Sequence, residues 1–397
     1  MSKIEELIKR LCPNGVKYYE LGELGKFYGG LTGKSKEDFK DGNAKFITYM
    51  NAYKNLALDV DVEDKVKIGE NENQRTLEYG DIIFTGSSET PDECGISSVV
   101  TKRIDEKLYL NSFCFFYRFD DPTIMNPDFS KHLFRSSNLR YQIGKTASGV
   151  TRFNVSKKLM EKVKIAVPPL EVQDEIVHIL DDFTLLSAEL SAELKARQKQ
   201  YEYYKGKLFK NQNIELKTLK ELAINCDNQR KPVTSGNREK GEYPYYGASG
   251  IVDYVKDYIF DGDYLLISED GANLVARKTP IAFSISGKNW VNNHAHVLKF
   301  DNRYLQKYVE MYLNYISIDQ YISGAAQPKL NQENLNKIVI PIPDDDTLMN
   351  IVNILTKFDK ITNDISEGLP AEIEARRKQY EYYRDKLLTF KELVNEG

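Results

Sequence analysis

Between positions 131 and 164 nine lysine or arginine residues stand against one acid, Glu161. Amide and hydroxyl side chains are interleaved with them. Such a stretch suits phosphate contacts combined with hydrogen bonds to base edges. Lys145, Arg152 and Lys157 are candidate phosphate contacts, and Thr146, Ser148 and Asn154 candidate base readers. A second cluster holds Arg230, a further candidate phosphate contact, with Lys231, Arg238 and Lys240 around a Thr234-Ser235-Gly236-Asn237 loop. Gln327, Lys329 and Asn331 lie in GAAQPKLN and can fill the same two roles there, the lysine toward phosphate and the two amides toward base edges.

Other motifs point to catalysis and fail on spacing. Gly29-Gly30-Leu31-Thr32-Gly33-Lys34-Ser35 imitates a phosphate loop, but Tyr28 occupies the first glycine position. Asn126-Pro127-Asp128-Phe129 resembles the tetrapeptide of amino-methyltransferases with the wrong third residue. His294 and His296 share one strand face if the strand is regular, yet no third metal ligand is near. No Cys/His or Ser/His constellation is legible. The reading is a chain without its own catalyst, metal or cofactor.

The formal net charge of −4 confines any nucleic-acid role to a local patch. With 41% hydrophobic and 29% charged residues the composition is that of a soluble globular protein. Apolar runs are too short for a membrane span, and residues 1–15 predict a short amphipathic helix rather than a signal peptide. Cys12, Cys94, Cys114 and Cys226 lack paired spacing and read as reduced thiols, so a cytoplasmic location is expected.

What positions these side chains is a duplicated plan. ARQKQYEYYKGKL at 196–208 returns as ARRKQYEYYRDKL at 375–387, with ten of thirteen positions identical. IVHILDDF at 176–183 matches IVNILTKF at 351–358, an offset of 175 that also pairs Gly149 with Gly324 and Ile165 with Ile340. Ile176, Phe183, Leu190, Leu194, Tyr201, Tyr204 and Leu208 form one helical seam. Ile351, Phe358, Ile365, Ile373, Tyr380, Tyr383 and Leu387 form the other, with four extra residues read as a stutter. Gly368 and Pro370 in that insertion predict a kink or short break. A helix from Leu170 to Leu208 spans roughly 57 Å at about 1.5 Å per residue. Shared seams predict an antiparallel pair and a pseudo-twofold relation between the halves. The off-seam Tyr203 and Tyr382 predict a partner surface.

Ahead of each helix, over residues 15–167 and 213–342, short β-type runs such as DIIFT, FCFFYRF, YLLIS and HVLKF predict mixed α/β units. The fold class expected is α+β: two pseudo-twofold-related α/β domains separated by an antiparallel coiled-coil pair. The boundaries are 1–167 and 211–342 for the domains and 168–210 and 343–397 for the helices. A tandem interaction adaptor with no DNA contact is the alternative from residues alone.

YYGASGI at 245–251, LLISEDGANL at 265–274 and GKNWVNNHAHVL at 287–298 resemble segments of the specificity subunits of type I restriction–modification systems. Residues 29–35 look like that family's Gly-Gly-Thr-Pro-Ser turn, and PLEVQ at 169–173 like the start of its spacer. The first domain departs, lacking the Tyr-Tyr-Gly-Ala-Ser-Gly segment. The resemblance adds Lys34, Ser35, Tyr245, Tyr246, Ser249 and Asn273 to the candidate DNA contacts. It implies two target recognition domains, each reading half of a split double-stranded DNA target, with the helix pair setting the unread gap. It also implies two modification subunits that carry S-adenosylmethionine and methylate adenine, and restriction subunits that use ATP and Mg.

Overall fold

The computed structural model describes residues 2–210, 214–324 and 327–393. The chain forms two compact units: Met1–Ser191 with Glu372–Gly397, and Ala192–Ala371. The helix Leu170–Leu208 is unbroken over 39 residues and contributes to both. The chain passes from the first unit to the second along it and comes back through Asp345–Asn363 and Leu369–Leu387.

The two units share one topology despite dissimilar interior sequences. In the first, Gly25–Gly29, Cys114–Phe119, Ile82–Thr85 and Ser97–Val99 form an antiparallel sheet in that order. In the second, Ile224–Asn225, Ala295–Lys299, Tyr264–Ser268 and Ala282–Ile285 repeat it. A neighbouring sheet in each contains one parallel pair, Ala44–Ile47 with Leu108–Leu110 and Lys240–Gly247 with Lys288–Val291. A two-stranded ladder closes each unit, Tyr18–Glu20 with Lys164–Ala166 and Glu215–Thr218 with Val339–Ile342.

The central strands Ile82–Thr85 and Tyr264–Ser268 are buried along their whole length because each has a core on both faces. Side chains alternate along a strand, so Ile82 and Phe84 enter the core that includes Ile176 and Leu180, while Ile83 enters a second one with Leu108 and Phe116. Leu265 and Ile267 likewise pack with Ile351 and Leu355, and Leu266 with Val291 and Val297.

The seam pairs residues of opposite repeats. Phe183 stacks on Tyr383 at 5.3 Å in the first unit, and Phe358 on Tyr204 at 5.8 Å and Tyr201 at 6.0 Å in the second. Leu208 and Ile351 join the second core and Leu387 the first. Leu190, Leu194 and Ile373 are only half-buried. The insertion departs from the stutter reading. The helix stops at Asn363 and restarts at Leu369, leaving Ile365 85% exposed and off the seam. Gly368 sits at the restart, where a Cβ would meet the Lys360 carbonyl at 2.5 Å.

The first unit adds a buried joint. The His132 ring lies between the Tyr380 hydroxyl at 2.9 Å (Nδ1) and Asp181 at 2.8 Å (Nε2). A carboxylate accepts from Nε2–H, so Nδ1 of the neutral ring accepts from Tyr380. Burial pushes the His132 value down and the Tyr380 phenol up to about 12. The four cysteines are free and buried. Among the described residues no helix is long and apolar enough to cross a membrane.

Candidate nucleic-acid interface

The basic stretch of the first unit divides into structural and available charges. Arg135 donates to the Ser97 and Tyr53 carbonyls, and Arg140 to those of Gly95, Cys94 and Asp92. Burial pushes both guanidinium values down to about 10. Lys131 pairs with Asp128 and Asp181. Lys145, Arg152, Lys157 and Lys158 remain at the surface.

These side chains gather around a small sheet of Ala147–Ser148, Phe153–Val155 and Ser87–Ser88. Ser148 pairs across to Asn154, Asn154 to Ser87, and Arg152 Nε donates to Ser87 Oγ at 3.0 Å. Ser148 and Asn154 are exposed. Thr146 is not available as a base reader: it is buried, and its hydroxyl donates to the Ile143 carbonyl at 2.7 Å. Lys34 and Ser35 are likewise occupied. Lys34 is held by Glu72 at 2.5 Å and the Lys67 carbonyl, and Ser35 closes a capping box with Asp38. The Lys34 ammonium, with two further hydrogen bonds, holds the Glu72 carboxyl at about 2.

In the second unit the charged centre is internal. Arg230 pairs with Glu269 at 2.6 Å and donates to the Ala295 carbonyl. Glu269 also meets Lys329 at 3.2 Å. His296 is buried with both ring nitrogens engaged, by Asp227 at 2.6 Å and the Leu330 carbonyl at 2.7 Å. Burial alone would push Glu269 up; the Arg230 hydrogen bond and the neighbouring cations hold it below the usual carboxylate range. Arg230 therefore positions the loop instead of contacting phosphate. Tyr245 is buried, its hydroxyl accepting from Val233 N–H, with the Arg238 guanidinium 4.3 Å from its ring centroid. Asn273 bridges to Thr279, and Asn331 caps a helix by accepting from Asn334 N–H. Tyr246 is half-buried against Phe283. Lys231, Ser249, Gln327 and Lys329 stay exposed; Ala325 and Ala326 beside them lie outside the described residues.

The two surfaces are built on one frame. Val155 N–H donates to the Gly86 carbonyl at 3.0 Å, and Leu330 N–H to that of Glu269 at 2.7 Å. Gly149 and Gly324 both take positive φ, and at each a Cβ would strike the carbonyl of the equivalent residue, Arg152 or Gln327. One matching feature escaped the sequence reading. Asn111 Oδ1 accepts from Phe113 N–H at 2.8 Å, and Asn292 Oδ1 from His294 N–H at 2.8 Å. The Phe113 carbonyl accepts from Gly86 N–H at 2.8 Å, and that of His294 from Glu269 N–H at 2.9 Å. The spacing from Asn111 to Asn292 is 181, so a search at the constant offset of 175 passes over it. Phe113 borders an open cleft of about 540 Å³ with Tyr49, Met50, Ser88, Glu89 and Arg152.

A duplicated sheet frame with divergent exposed side chains defines a tandem recognition protein. A family model described as the type I restriction modification DNA specificity domain matches it twice, over residues 13–197 and 211–375. The chain belongs to that family. It is 37% identical over 191 residues to a type I restriction enzyme specificity subunit of Haemophilus influenzae, covering 47% of this chain and 49% of that protein. It is 32% identical to a type I specificity subunit of Mycoplasma pneumoniae, covering 57% of this chain and 92% of that protein. The match thus spans about half the length of the Haemophilus relative. The type I S subunit of M. genitalium has the same fold, with a TM-score of 0.58 at 15% identity over 94% of this chain and 96% of that one. A chain from a type I restriction–modification assembly gives 0.62 at 14% identity, covering 95% and 98%.

Proposed function

We propose that this chain is the DNA-recognition subunit of a type I restriction–modification complex and reads a bipartite target, one unit per half-site. The observation that carries the reading is the repeated topology: the backbone frame is kept while the exposed side chains differ. Two readers of one design and different surface chemistry fit two unlike half-sites. Lys145, Arg152 and Lys157 supply phosphate contacts in one unit and Lys231 and Lys329 in the other, while Ser148, Asn154, Ser249 and Gln327 probe base edges. The helix Leu170–Leu208 and its returning partners set the unread gap.

The catalytic work falls to partners in the cytoplasm. Two modification subunits bring S-adenosylmethionine and methylate an adenine flipped from the stack, and restriction subunits bring ATP- and Mg-dependent translocation and cleavage. Tyr203 and Tyr382, exposed at equivalent repeat positions, offer such partners two like aromatic contacts.

Methylation mapping in cells carrying this chain and its methyltransferase tests the reading. Removing one heptad from the outgoing helix and one from the returning pair shortens the gap and preserves both half-sites. Altered half-sites with the original gap would refute the spacer role.

A further inference from the structure

The buried asparagines Asn111 and Asn292 fix the backbone of the residue two positions on, and its carbonyl accepts from the N–H of Gly86 or Glu269, each just past a sheet strand. The backbone of Phe113 and His294 is thus tied on both sides in the same way. Their side chains stand out into solvent: Phe113 is 61% exposed and the His294 side chain 52%. A phenylalanine held into water on a rigid turn gives the fold little burial, so folding does not account for it. Each tip also stands beside the residues proposed to read DNA. Gly86 and Glu269, which hold the tips, are the same residues whose carbonyls accept from Val155 and Leu330 N–H.

The chemistry at each tip is specific. Phe113 presents an apolar face beside Met50 at the mouth of the cleft, suited to the methyl group that thymine shows in the major groove. His294 Nδ1 faces both Asp270 oxygens, at 3.0 and 2.9 Å. A carboxylate takes a proton donor, so Nδ1 carries the hydrogen and Nε2 of the neutral ring keeps its lone pair. That lone pair accepts from an exocyclic amine, N6 of adenine or N4 of cytosine.

We propose that Phe113 and His294 are equivalent specificity-determining side chains, Phe113 meeting a thymine methyl in one half-site and His294 accepting from a base amine in the other. The inference rests on the bipartite reading above. It goes further by naming which side chain reads which chemical group.

The test uses the complex of this chain with its methyltransferase partner, variants being kept when they co-purify at wild-type yield. Methylation mapping with Phe113→Ala should relax one position of one half-site, and with His294→Ala one position of the other. Phe113→Leu and His294→Gln serve if the alanine variants do not assemble. Duplexes then carry deoxyuridine for thymine, or a base lacking its exocyclic amine, at the relaxed position. Wild-type complex should bind these about fourfold and about fivefold more weakly, and the matching alanine variant should not distinguish them. Wild-type motifs from both variants, or relaxation of the same half-site by both, would overturn the inference while leaving the bipartite reading intact. A wild-type target with no two-part motif would instead overturn the bipartite reading and this inference with it.

Discussion

Replacing His132 by alanine should loosen the first unit alone. The ring accepts from Tyr380 and donates to Asp181, so two hydrogen bonds worth about 1 kcal/mol each are lost. The Tyr380 hydroxyl is then stranded in the interior, which costs a further 1–3 kcal/mol, roughly. The total is about 3–5 kcal/mol, a large part of the ordinary stability of a domain. Tyr380→Phe removes one bond and should cost about 1–2 kcal/mol. Amide hydrogen exchange reads both, through protection in Pro127–Leu133 and Leu369–Leu387, with Asp345–Asn363 as the second-unit control. The same joint gives a pH dependence. Burial holds the His132 value below its ordinary 6.5, so its contribution is complete above that pH. As pH falls below it the unfolded chain takes up the proton first, and stability drops by at most about 1.4 kcal/mol per pH unit until the folded value is passed. His132→Gln should flatten this segment of the curve once intrinsic exchange rates are removed. Equal loss of protection in both units, or a wild-type curve without slope below pH 6.5, would refute the assignment.

Arg118→Met should destabilise the first unit by about 3 kcal/mol or more, because the guanidinium grips a fully buried Asp81 at 2.7 and 2.6 Å. Urea unfolding followed by circular dichroism should show the deficit shrinking at low pH, since burial pushes Asp81 up and protonation removes the stranded charge. Leu355→Ala, in the second core, should cost about 3 kcal/mol and shift the urea midpoint of the single tryptophan, Trp290. Gly149→Ala should cost about 1–2 kcal/mol, read as faster exchange in Phe153–Val155 with no change in the second unit.

The duplication, the long helices and most strands were legible because they rest on periodicity and self-similarity, which a chain carries in its residue order. The strand FCFFYRF begins one residue late, at Cys114, because Phe113 belongs to the Asn111 turn. The site was less legible. Charge runs do not reveal which cations are spent inside: Arg135, Arg140, Lys34 and Arg230 look like Lys145 and Arg152 until their carbonyl and carboxylate partners are placed. Thr146 and Asn331 were read as base readers, yet both serve turns and caps, the common fate of small polar side chains near helix ends. The insertion that exposes Ile365 was half legible, through Gly368 and Pro370.

The second unit is one uninterrupted stretch, Ala192–Ala371, whereas the first is closed by residues from the far end of the chain. On the ribosome the later-encoded unit therefore has all its parts first. The seat around Ile176 and Leu180 stays uncapped until Leu388 and Phe390 leave the exit tunnel. The half synthesised earliest is the last to be finished, and for that interval its apolar surface is open to chaperones or to another unfinished copy.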